Sequence, residues 1–409
     1  MDSLPVSVVV VSRDRPDALM RCLNGLAQLD YPEFEIICVA CPAGSAALAG
    51  RPDNAHIKAV AFDEPNISAA RNLGIAQAAG EVVAFIDDDA VPEPLWLHHL
   101  VAPFAEPDVA ATGGYVIGRN GISFQWTARS TDRTGEAMPL DVKGDQPVVL
   151  RPQPDRAIKT EGTNMAVRRD ILAEMGGFDP AFRFYLDETD VNQRLAELGH
   201  ATALVPLARV HHGFEPSVRR KSDRTPRDLF EIGASKAIFL RKYCSPAQHK
   251  PALDAFLGAQ EKRLLRFMQS GHLDPEDVLR LKRGLKQGFL EGQSREIANL
   301  AHLPRAAEGV KTYPGRYGAA RRFLAGRVWQ RGKLYAEAHK FCERGEIVTV
   351  LTMSPTNLYH KVNFSDDGVW TQAGGLFGKS ERSMPFWSFW RFPRRVEHEK
   401  CQVAQTRGQ

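Results

Sequence analysis

Three consecutive aspartates, Asp87 to Asp89, are the strongest chemical signal in this sequence. They directly follow the apolar residues 82–86, which predict a buried strand, and Pro92 then stops the chain from extending that ladder. Adjacent carboxylates repel one another, so three in a row favour a site where a divalent cation neutralises them. Carboxylate oxygens suit Mg²⁺ or Mn²⁺, and a diphosphate could supply further oxygens. The alternative is an acidic turn facing solvent, but such a turn needs only one aspartate.

A second acidic cluster, Asp187, Glu188 and Asp190, precedes a helix predicted over residues 191–198. The N-terminus of a helix favours negative charge, and capping accounts for one or two of these carboxylates. The third indicates a function, and a carboxylate placed beside a substrate hydroxyl can act as a general base.

The elements that must position both clusters alternate between strand and helix over the first 215 residues. The pattern predicts strands over residues 6–11, 34–39, 56–62 and 81–86, and helices over 16–29 and 66–79, the latter capped by Asn66 or Ser68. This rhythm is typical of a largely parallel sheet with helices on its faces. In such a sheet the ligand crevice lies at the carboxyl ends of the strands, where the aspartate run falls.

Together these segments resemble the family 2 glycosyltransferases of the GT-A fold. The aspartates lie in IDDDAVPEPLWL, and the other landmarks occur in the family's order: VSVVVVSRDRPDALMRCLNGL, NISAARNLGIAQAAGEVVAFIDDD, EGTNMAVRRDILAEMGGFDPAF, FYLDETDVNQRLAELGH and RVHHG. The resemblance covers residues 5–215. It implies an α/β fold with a Rossmann-like, mixed but mostly parallel sheet flanked by helices.

The resemblance also implies a metal site. Asp87 and Asp89 would form the metal-binding pair, with Asp89 the more direct ligand and Asp88 assisting at the ribose or the metal. A histidine would complete the metal shell. His211 and His212 are both candidates, and His211 is the residue chosen.

On the donor side, the resemblance places Arg71 near the diphosphate, and Arg13 follows the first strand on the same side. From the residues alone, Arg71 is either a phosphate clamp or a structural counter-charge. The family commonly has an acidic residue after the second strand to recognise the nucleotide base, but residues 39–44 here read VACPAG. Asp63 or Glu64 takes that role, or backbone groups hold the base.

On the acceptor side, Asp187 and Glu188 resemble the acidic pair that supplies the family's catalytic base. Glu188 is the first choice because it occupies the second position of the pair, and Asp187 is the second choice. The implied reaction is a metal-dependent, inverting transfer of a sugar from a nucleotide-sugar donor to a hydroxyl of a glycan or lipid-linked acceptor, in cell-surface polysaccharide synthesis.

Two other functions are consistent with parts of the pattern. A nucleotidyltransferase uses similar folds and acidic metal sites, but it would want a Gly-rich phosphate loop after the first strand, where this chain has SRDRP. A non-catalytic glycan-binding homologue would keep the fold without needing both acidic clusters.

The rest of the chain predicts two further units after a glycosyltransferase domain at 1–220. Residues 221–303 form a helical region, with helices over 226–243, 248–270 and 274–302, and residues 304–409 form a small α/β or irregular unit. From residue 305 onward, 18 Lys and Arg stand against 9 Asp and Glu, although the whole chain carries only +4. The segment MPFWSFWRFPRR either packs on the helical region or contacts a membrane surface, and nucleic acid is not an expected partner.

Composition sets the remaining expectations. With 409 residues and 43% hydrophobic residues, the chain is long enough for a large enzyme core plus smaller units. Six scattered cysteines do not form a disulfide framework, and no apolar run is long enough to span a bilayer. We therefore expect a cytoplasmic protein, with peripheral contact at the inner face of the membrane left open.

Overall fold

The computed structural model describes residues 3–408. Residues 1 and 409, at which the first predicted domain begins and the last one ends, lie outside the described residues. The first half of the chain builds a layered α/β structure around one large sheet. The strands of this half of the chain are β1 (Val6–Ser12), β2 (Phe34–Ala40), β3 (Ile57–Ala61), β4 (Val82–Asp87), β5 (Ala90–Pro92), β6 (Val109–Ile117), β7 (Phe124–Trp126), β8 (Arg129–Asp132), β9 (Ala137–Pro139), β10 (Val148–Leu150), β11 (Arg156–Lys159), β12 (Met165–Arg168) and β13 (Ala201–His212). Its helices are α1 (Pro16–Leu26), α2 (Pro42–Ala49), α3 (Ile67–Ala76), α4 (Trp96–Val101), α5 (Arg169–Glu174) and α6 (Asp187–Glu197).

The large sheet is mixed but mostly parallel, and the expected fold class is confirmed. Its strand order is β10-β13-β6-β12-β4-β1-β2-β3, with β5 paired to β13 and β7 paired to β6. β1 runs parallel to β2 and β4, β2 to β3, and β13 to β6, whereas β12 is antiparallel to both of its neighbours. Strands β11, β8 and β9 form a small separate antiparallel sheet.

The register of the central strands brings the residues that follow β1, β2 and β4 to one edge of the sheet. Val11 pairs with Asp87 across β1 and β4, and Ser12 pairs with Ala40 across β1 and β2. The valines of β1 up to Val10 are buried under helices on both faces of the sheet, and Val11 is partly buried. Because the parallel strands end together, the chain leaving each of them enters the same crevice.

Local capping decides where α3 begins. Asn66, rather than Ser68, is the cap, because its side-chain oxygen accepts a hydrogen bond from the Ala69 backbone N–H at 3.1 Å. The Ser68 hydroxyl instead donates to the Phe182 carbonyl at 2.6 Å. Asn66 therefore sets the helix that carries Arg71 toward the strand ends.

The next part of the chain forms α7 (Phe230–Tyr243), α8 (Pro246–Gln269) and α9 (Pro275–Ser294). α7 and α9 approach closely because Gly288 leaves no side chain between them: a Cβ there would overlap the Phe230 carbonyl. The prediction that the last helix reaches residue 302 is wrong. The helix ends at Ser294, and Arg295 adopts an extended conformation in which its guanidinium donates to Glu231 at 3.0 Å.

The C-terminal part is a small α/β unit rather than an irregular one. Its elements are β14 (Arg321–Arg327), α10 (Arg331–Glu343), β15 (Ile347–Ser354), β16 (Lys361–Phe364), β17 (Trp370–Gly375) and α11 (Phe392–Arg407). The strand order is β14-β15-β17-β16, with β14, β15 and β17 parallel and β16 antiparallel to β17. β14 lies within residues 304–332, a stretch rich in Gly, Pro and Arg that the sequence predicts as a connector, whereas most of α10 follows that stretch.

A buried ion pair joins this unit to the large sheet. Arg407, near the end of α11, donates to both carboxylate oxygens of Glu93 at 2.7 and 2.9 Å. Glu93 directly follows β5, and its Oε1 also lies 2.7 Å from His211 Nε2. The Arg407 guanidinium stacks 4.2 Å from the centre of the buried Trp370 ring. The C-terminal unit is thereby clamped to the strand that follows the aspartate run.

Among residues 3–408, no helix combines the length and the apolar character that crossing a bilayer requires.

Candidate active site

A cleft of about 580 Å³ opens at the carboxyl ends of the central strands. Residues from β1, α3, β4 and α6 line it, together with the irregular segment 216–229 that follows β13. Of the residues expected at the site, those that line the cleft are Arg13, Arg71, Asp87, Asp89, Asp187, Glu188 and the alternatives Glu64 and His212. The fold thus brings both acidic clusters, which lie 100 residues apart in sequence, to one cavity.

The three aspartates of the run face in different directions. Asp87 is 30% exposed at its side chain and lies in the cleft, 3.3 Å from Arg71. Asp88 is fully buried: it accepts from the Ser12 hydroxyl at 2.7 Å and from Arg15 Nε at 3.2 Å. Because Asp88 points into the protein, its geometry does not favour the expected assistance at the ribose or the metal, and it acts here as an anchor for the turn.

Asp89 is almost completely buried and is surrounded by hydrogen-bond donors. Its Oδ2 accepts from the Glu215 backbone N–H at 2.9 Å, from Arg220 at 3.2 Å and from Arg15 at 3.3 Å. Burial alone would raise the pKa of Asp89, but His212, Arg15 and Arg220 hold it well below its ordinary value. Asp89 is therefore an anion that is fixed in position before any ligand arrives.

Asp87, Asp89 and His212 form a group that could hold a metal ion, since one ligand atom from each lies within 4.8 Å of the others. Alternation along β13 gives the two neighbouring histidines opposite faces of the sheet. His212 Nε2 lies 3.1 Å from Asp89 Oδ1, whereas His211 turns away to Glu93 and Trp370. The geometry favours His212 over His211, the residue expected from the sequence, and a ligand role for either histidine stays a prediction.

The setting of His212 fits a cation. Its Nδ1 lies 3.0 Å from Gln125 Oε1, and a proton on Nδ1 that binds this oxygen leaves the Nε2 lone pair directed at Asp89. Two acceptors at 3.1 Å repel unless a proton or a cation lies between them. A metal-binding histidine is usually held in the same manner, by a hydrogen bond from its other ring nitrogen. The donor set of two carboxylates and one imidazole therefore suits a divalent cation such as Mn²⁺ or Mg²⁺.

The second acidic pair begins α6 instead of preceding it. The helix starts at Asp187, four residues before its predicted start, after Tyr185 and Leu186 have both taken positive φ angles of 74° and 64°. Non-glycine residues rarely adopt this conformation, and two in succession cost free energy that the surrounding packing must offset. The strained turn directs both carboxylates into the cleft.

Asp187 and Glu188 are held by different cations. Arg71 donates to Asp187, which is nearly buried, and burial raises the pKa of Asp187 to about 7 despite that partner. Glu188 is more open to the cleft, and its Oε1 accepts from Lys159 Nζ at 2.7 Å. Burial alone would raise the pKa of Glu188, but the Lys159 ammonium lowers it to about 2. Glu188 is thus ionised at neutral pH, and the lysine binds it at Oε1.

Arg71 links the two acidic clusters. Its guanidinium donates to Asp187, to Asp87 at 3.3 Å and to the Gly162 carbonyl at 3.2 Å, and it is almost fully buried. The ring of Phe178 lies 5.0 Å below the guanidinium. These four contacts fix the Arg71 guanidinium at the wall of the cleft. In this position it can serve both as a structural counter-charge and as a phosphate clamp, the two roles that the sequence left open.

Arg13 and Asp63 lie at the outer rim. Arg13 Nε is 3.3 Å from both the side chain and the backbone carbonyl of Asp63. Glu64 lines the cleft, whereas the Asp63 side chain is more than half exposed and is not among the described residues that line it. Glu64 is therefore the better placed of the two acids that could meet a nucleotide base.

Sequence reasoning missed several charged residues of the site. Arg15 holds two of the aspartates, Arg220 reaches Asp89 from the segment after β13, and Lys159 at the end of β11 binds Glu188. Arg15 gave a local signal, because it follows β1 in the SRDRP motif. Arg220 and Lys159 gave none, since each depends on a contact with a distant part of the chain.

Comparisons with known proteins find relatives that match the N-terminal half. Residues 7–176 match the model of the family described as glycosyl transferase family 2. Over 242 residues the chain is 27% identical to an O-antigen biosynthesis protein, RfbC, of Myxococcus xanthus, covering 54% of this chain and 18% of that protein. Over 183 residues it is 28% identical to a glucosyl-dolichyl phosphate glucuronosyltransferase of Haloferax volcanii, covering 43% of this chain and 56% of that protein.

Among solved structures, a mannosyltransferase from Pyrobaculum calidifontis, in complex with GDP-Man and Mn²⁺, aligns with a TM-score of 0.44 and 15% identity. The alignment covers 72% of this chain and 88% of that one. The chain spans about half or less of the length of the two curated relatives above. By the match over residues 7–176 and the glycosyltransferases among its relatives, the N-terminal half of the chain is similar to glycosyl transferase family 2.

Proposed function

We propose that this protein is a metal-dependent, inverting glycosyltransferase that moves a sugar from a nucleotide-diphosphate donor to a hydroxyl of a glycan or lipid-linked acceptor. One observation carries the proposal: the group Asp87, Asp89 and His212 and the pair Asp187 and Glu188 face a single cleft. The first group suits a cation that binds a diphosphate, and the second supplies a base.

The donor side of the cleft is the side of the aspartate turn. Asp87, Asp89 and His212 would hold Mn²⁺ or Mg²⁺, which when bound offsets the negative charge of the departing diphosphate. Mn²⁺ is the better fit, because Mg²⁺ prefers oxygen ligands alone and one of these ligands is an imidazole nitrogen. Arg71 and Arg13 add positive charge on the walls that face the phosphates, and Glu64 is placed to meet the nucleotide base.

The acceptor side is the side of α6. Glu188, ionised and bound by Lys159 at Oε1, would take the proton of the acceptor hydroxyl as its oxygen bonds to the anomeric carbon. The bond from that carbon to the phosphate oxygen breaks, and the nucleoside diphosphate leaves. Asp187 remains the second choice for the base, because its carboxylate already accepts a hydrogen bond from Arg71. A single displacement inverts the anomeric configuration.

The acceptor class follows from the relatives rather than from the geometry. One is named for O-antigen biosynthesis, and another transfers glucuronate to a glucosyl-dolichyl phosphate, as its name states. These names support a glycan or lipid-linked acceptor and a role in cell-surface polysaccharide synthesis. We also keep the expectation of a cytoplasmic protein, which agrees with the six cysteines being unpaired in the described structure.

Thermal unfolding in the presence of UDP-, GDP- and dTDP-sugars tests the donor assignment. A ligand that binds only the folded state stabilises it by about 2.7 kcal/mol at one hundred times its Kd. We expect one nucleotide class to raise the unfolding temperature with Mn²⁺ present and to lose that effect in excess chelator. Stabilisation that is equal with and without metal would contradict the metal-dependent donor site.

The stereochemistry is tested separately, by NMR of the product formed from an α-linked donor. We expect a β-linked product. A product that retains the α configuration would exclude single displacement, even if Glu188 and Asp187 both proved essential.

A further inference from the structure

An aromatic patch of five large side chains projects from the C-terminal unit. Leu358, Tyr359, Phe386, Trp387 and Phe389 are each between 54% and 74% exposed. They are grouped rather than scattered: the rings of Tyr359 and Phe386 lie 6.1 Å apart, and those of Trp387 and Phe389 lie 6.5 Å apart. A contiguous exposed apolar group of this kind usually marks an interaction site.

The patch is held at one edge of the small sheet. Its residues come from the loops that follow β15 and β17, which are parallel and therefore end at the same edge. The backbone N–H of Phe377 donates to the Thr356 carbonyl at 3.0 Å, and that of Ser388 donates to the Phe377 carbonyl, which ties the two loops together. The Phe377 ring stacks against Phe389 at 5.8 Å from below.

A buried polar network fixes these loops from within. Arg395 of α11 donates to the Gly378 carbonyl at 2.9 Å, and Glu399 accepts from Ser380 and from Gln372, both at 2.7 Å. His360 bonds Gln372 and the Gly375 carbonyl. Because these buried contacts hold both loops against α11, the exposed rings are presented on a packed base instead of belonging to a loose tail.

Four cations without ionic partners among the described residues lie close to the patch in sequence. Lys379, Arg382, Arg391 and Arg394 make no ion pair within residues 3–408, and the last three are exposed. The only acid between residues 379 and 395 is Glu381, which faces His398 at 3.9 Å. The surface therefore combines apolar rings with uncompensated positive charge.

We propose that this aromatic patch and its cations form a docking surface for the interface of an anionic lipid membrane. Indole and phenol rings favour the level of lipid headgroups, and arginines near the surface are attracted to anionic lipids. Charge complementarity selects this occupant over a sugar chain, because sugar hydroxyls need acceptors and residues 382–394 contain no carboxylate or amide side chain. None of the patch residues lines the catalytic cleft, so the inference goes beyond the proposed function and does not depend on it.

Vesicle sedimentation with the full-length protein tests the proposal, using phosphatidylcholine alone and an equimolar mixture with phosphatidylglycerol. We expect binding to the anionic vesicles only. The triple variant Phe386→Ser, Trp387→Ser, Phe389→Ser should bind at least about tenfold more weakly. The variant Arg382→Gln, Arg391→Gln, Arg394→Gln should lose about fivefold per cation, and added salt should weaken the wild type in the same direction.

Matched controls come from α9, which offers exposed residues of the same types. Leu279→Ser with Leu290→Ser removes exposed apolar side chains, and Arg283→Gln with Lys286→Gln removes exposed cations that make no ion pair among the described residues. We expect both control variants to bind like the wild type. All variants change exposed side chains, so circular dichroism should show unchanged folding.

Fluorescence gives a second measurement. Brominated lipids should quench tryptophan emission in the wild type and less in Trp387→Phe. Absence of binding to anionic vesicles, unchanged binding in the aromatic variant, or an equal loss in the α9 controls would overturn the proposal. So would a dimer, seen by sedimentation velocity, that the aromatic variant abolishes, because the patch would then contact a second copy of the chain.

Discussion

Replacing Arg407 by Met tests how firmly the C-terminal unit is joined to the sheet that carries the site. Arg407 and Glu93 have only 2% and 4% of their side chains exposed, and they form two hydrogen bonds. Methionine keeps much of the volume of arginine but removes the charge. Glu93 would then be a buried carboxylate with only His211 as an ionisable partner among the described residues.

The expected cost is large because one charge of a buried pair is left without its partner. Breaking such a pair typically destabilises a protein by about 3–5 kcal/mol, or two to four powers of ten in the ratio of folded to unfolded protein. Replacing both partners, as in Glu93→Leu with Arg407→Met, should cost much less, because no uncompensated charge remains. The control is Arg151→Met, which breaks an exposed pair with Asp108 and should cost at most about 1 kcal/mol.

Urea denaturation followed by circular dichroism measures these free energies of unfolding. Burial alone would raise the pKa of Glu93, but Arg407 and His211 hold it well below its ordinary value. A carboxylate whose pKa is lower in the folded state than in the unfolded state stabilises the fold at pH values above the ordinary glutamate pKa of about 4.3. This contribution to the free energy of unfolding is lost as the pH falls further. The deficit of Arg407→Met should therefore shrink in acid. A cost below about 1 kcal/mol at neutral pH, or a double variant as unstable as the single one, would refute this reasoning.

Three further predictions concern the cleft. His212→Asn should weaken Mn²⁺ binding, measured by calorimetry, by at least about tenfold, whereas its neighbour variant His211→Asn should leave metal affinity unchanged; equal losses would contradict the alternation along β13. Glu188→Gln should lower kcat by about 10² or more and leave donor affinity unchanged, and a variant that turns over normally would exclude Glu188 as the base. Lys159→Met removes the cation that lowers the pKa of Glu188 to about 2, so the acidic limb of the kcat/KM profile should move to higher pH; an unmoved limb would point to another base.

The sequence predicted those parts of the fold and site that depend on local pattern. The apolar run of β1 and the strand before Asp87 appear where expected, and Asn66 begins its helix. Asp87 and Asp89 lie in the cleft because the strand that carries them must end at its edge.

What the sequence could not show depends on contacts between distant residues. Asp88 has the same local pattern as its neighbours, and only the positions of Ser12 and Arg15 make it a buried anchor. The choice between two adjacent histidines required the exact phase of β13, which a one-residue shift would reverse. The sequence of β14 is RRFLAGR, and its arginines and glycine do not give the apolar pattern by which a strand is predicted. It is a strand because it pairs with the more apolar β15.

The most direct test of the central claim is the release of free nucleoside diphosphate from the donor that thermal unfolding selects. We predict release by the wild type with Mn²⁺, none in excess chelator, and none by Asp89→Asn, which keeps the size of the side chain and should remain folded. Asp108→Asn, at an exposed aspartate, should behave as the wild type. Full release in chelator or by Asp89→Asn would contradict the metal site, and no release from any nucleotide sugar would contradict the proposed glycosyltransferase activity.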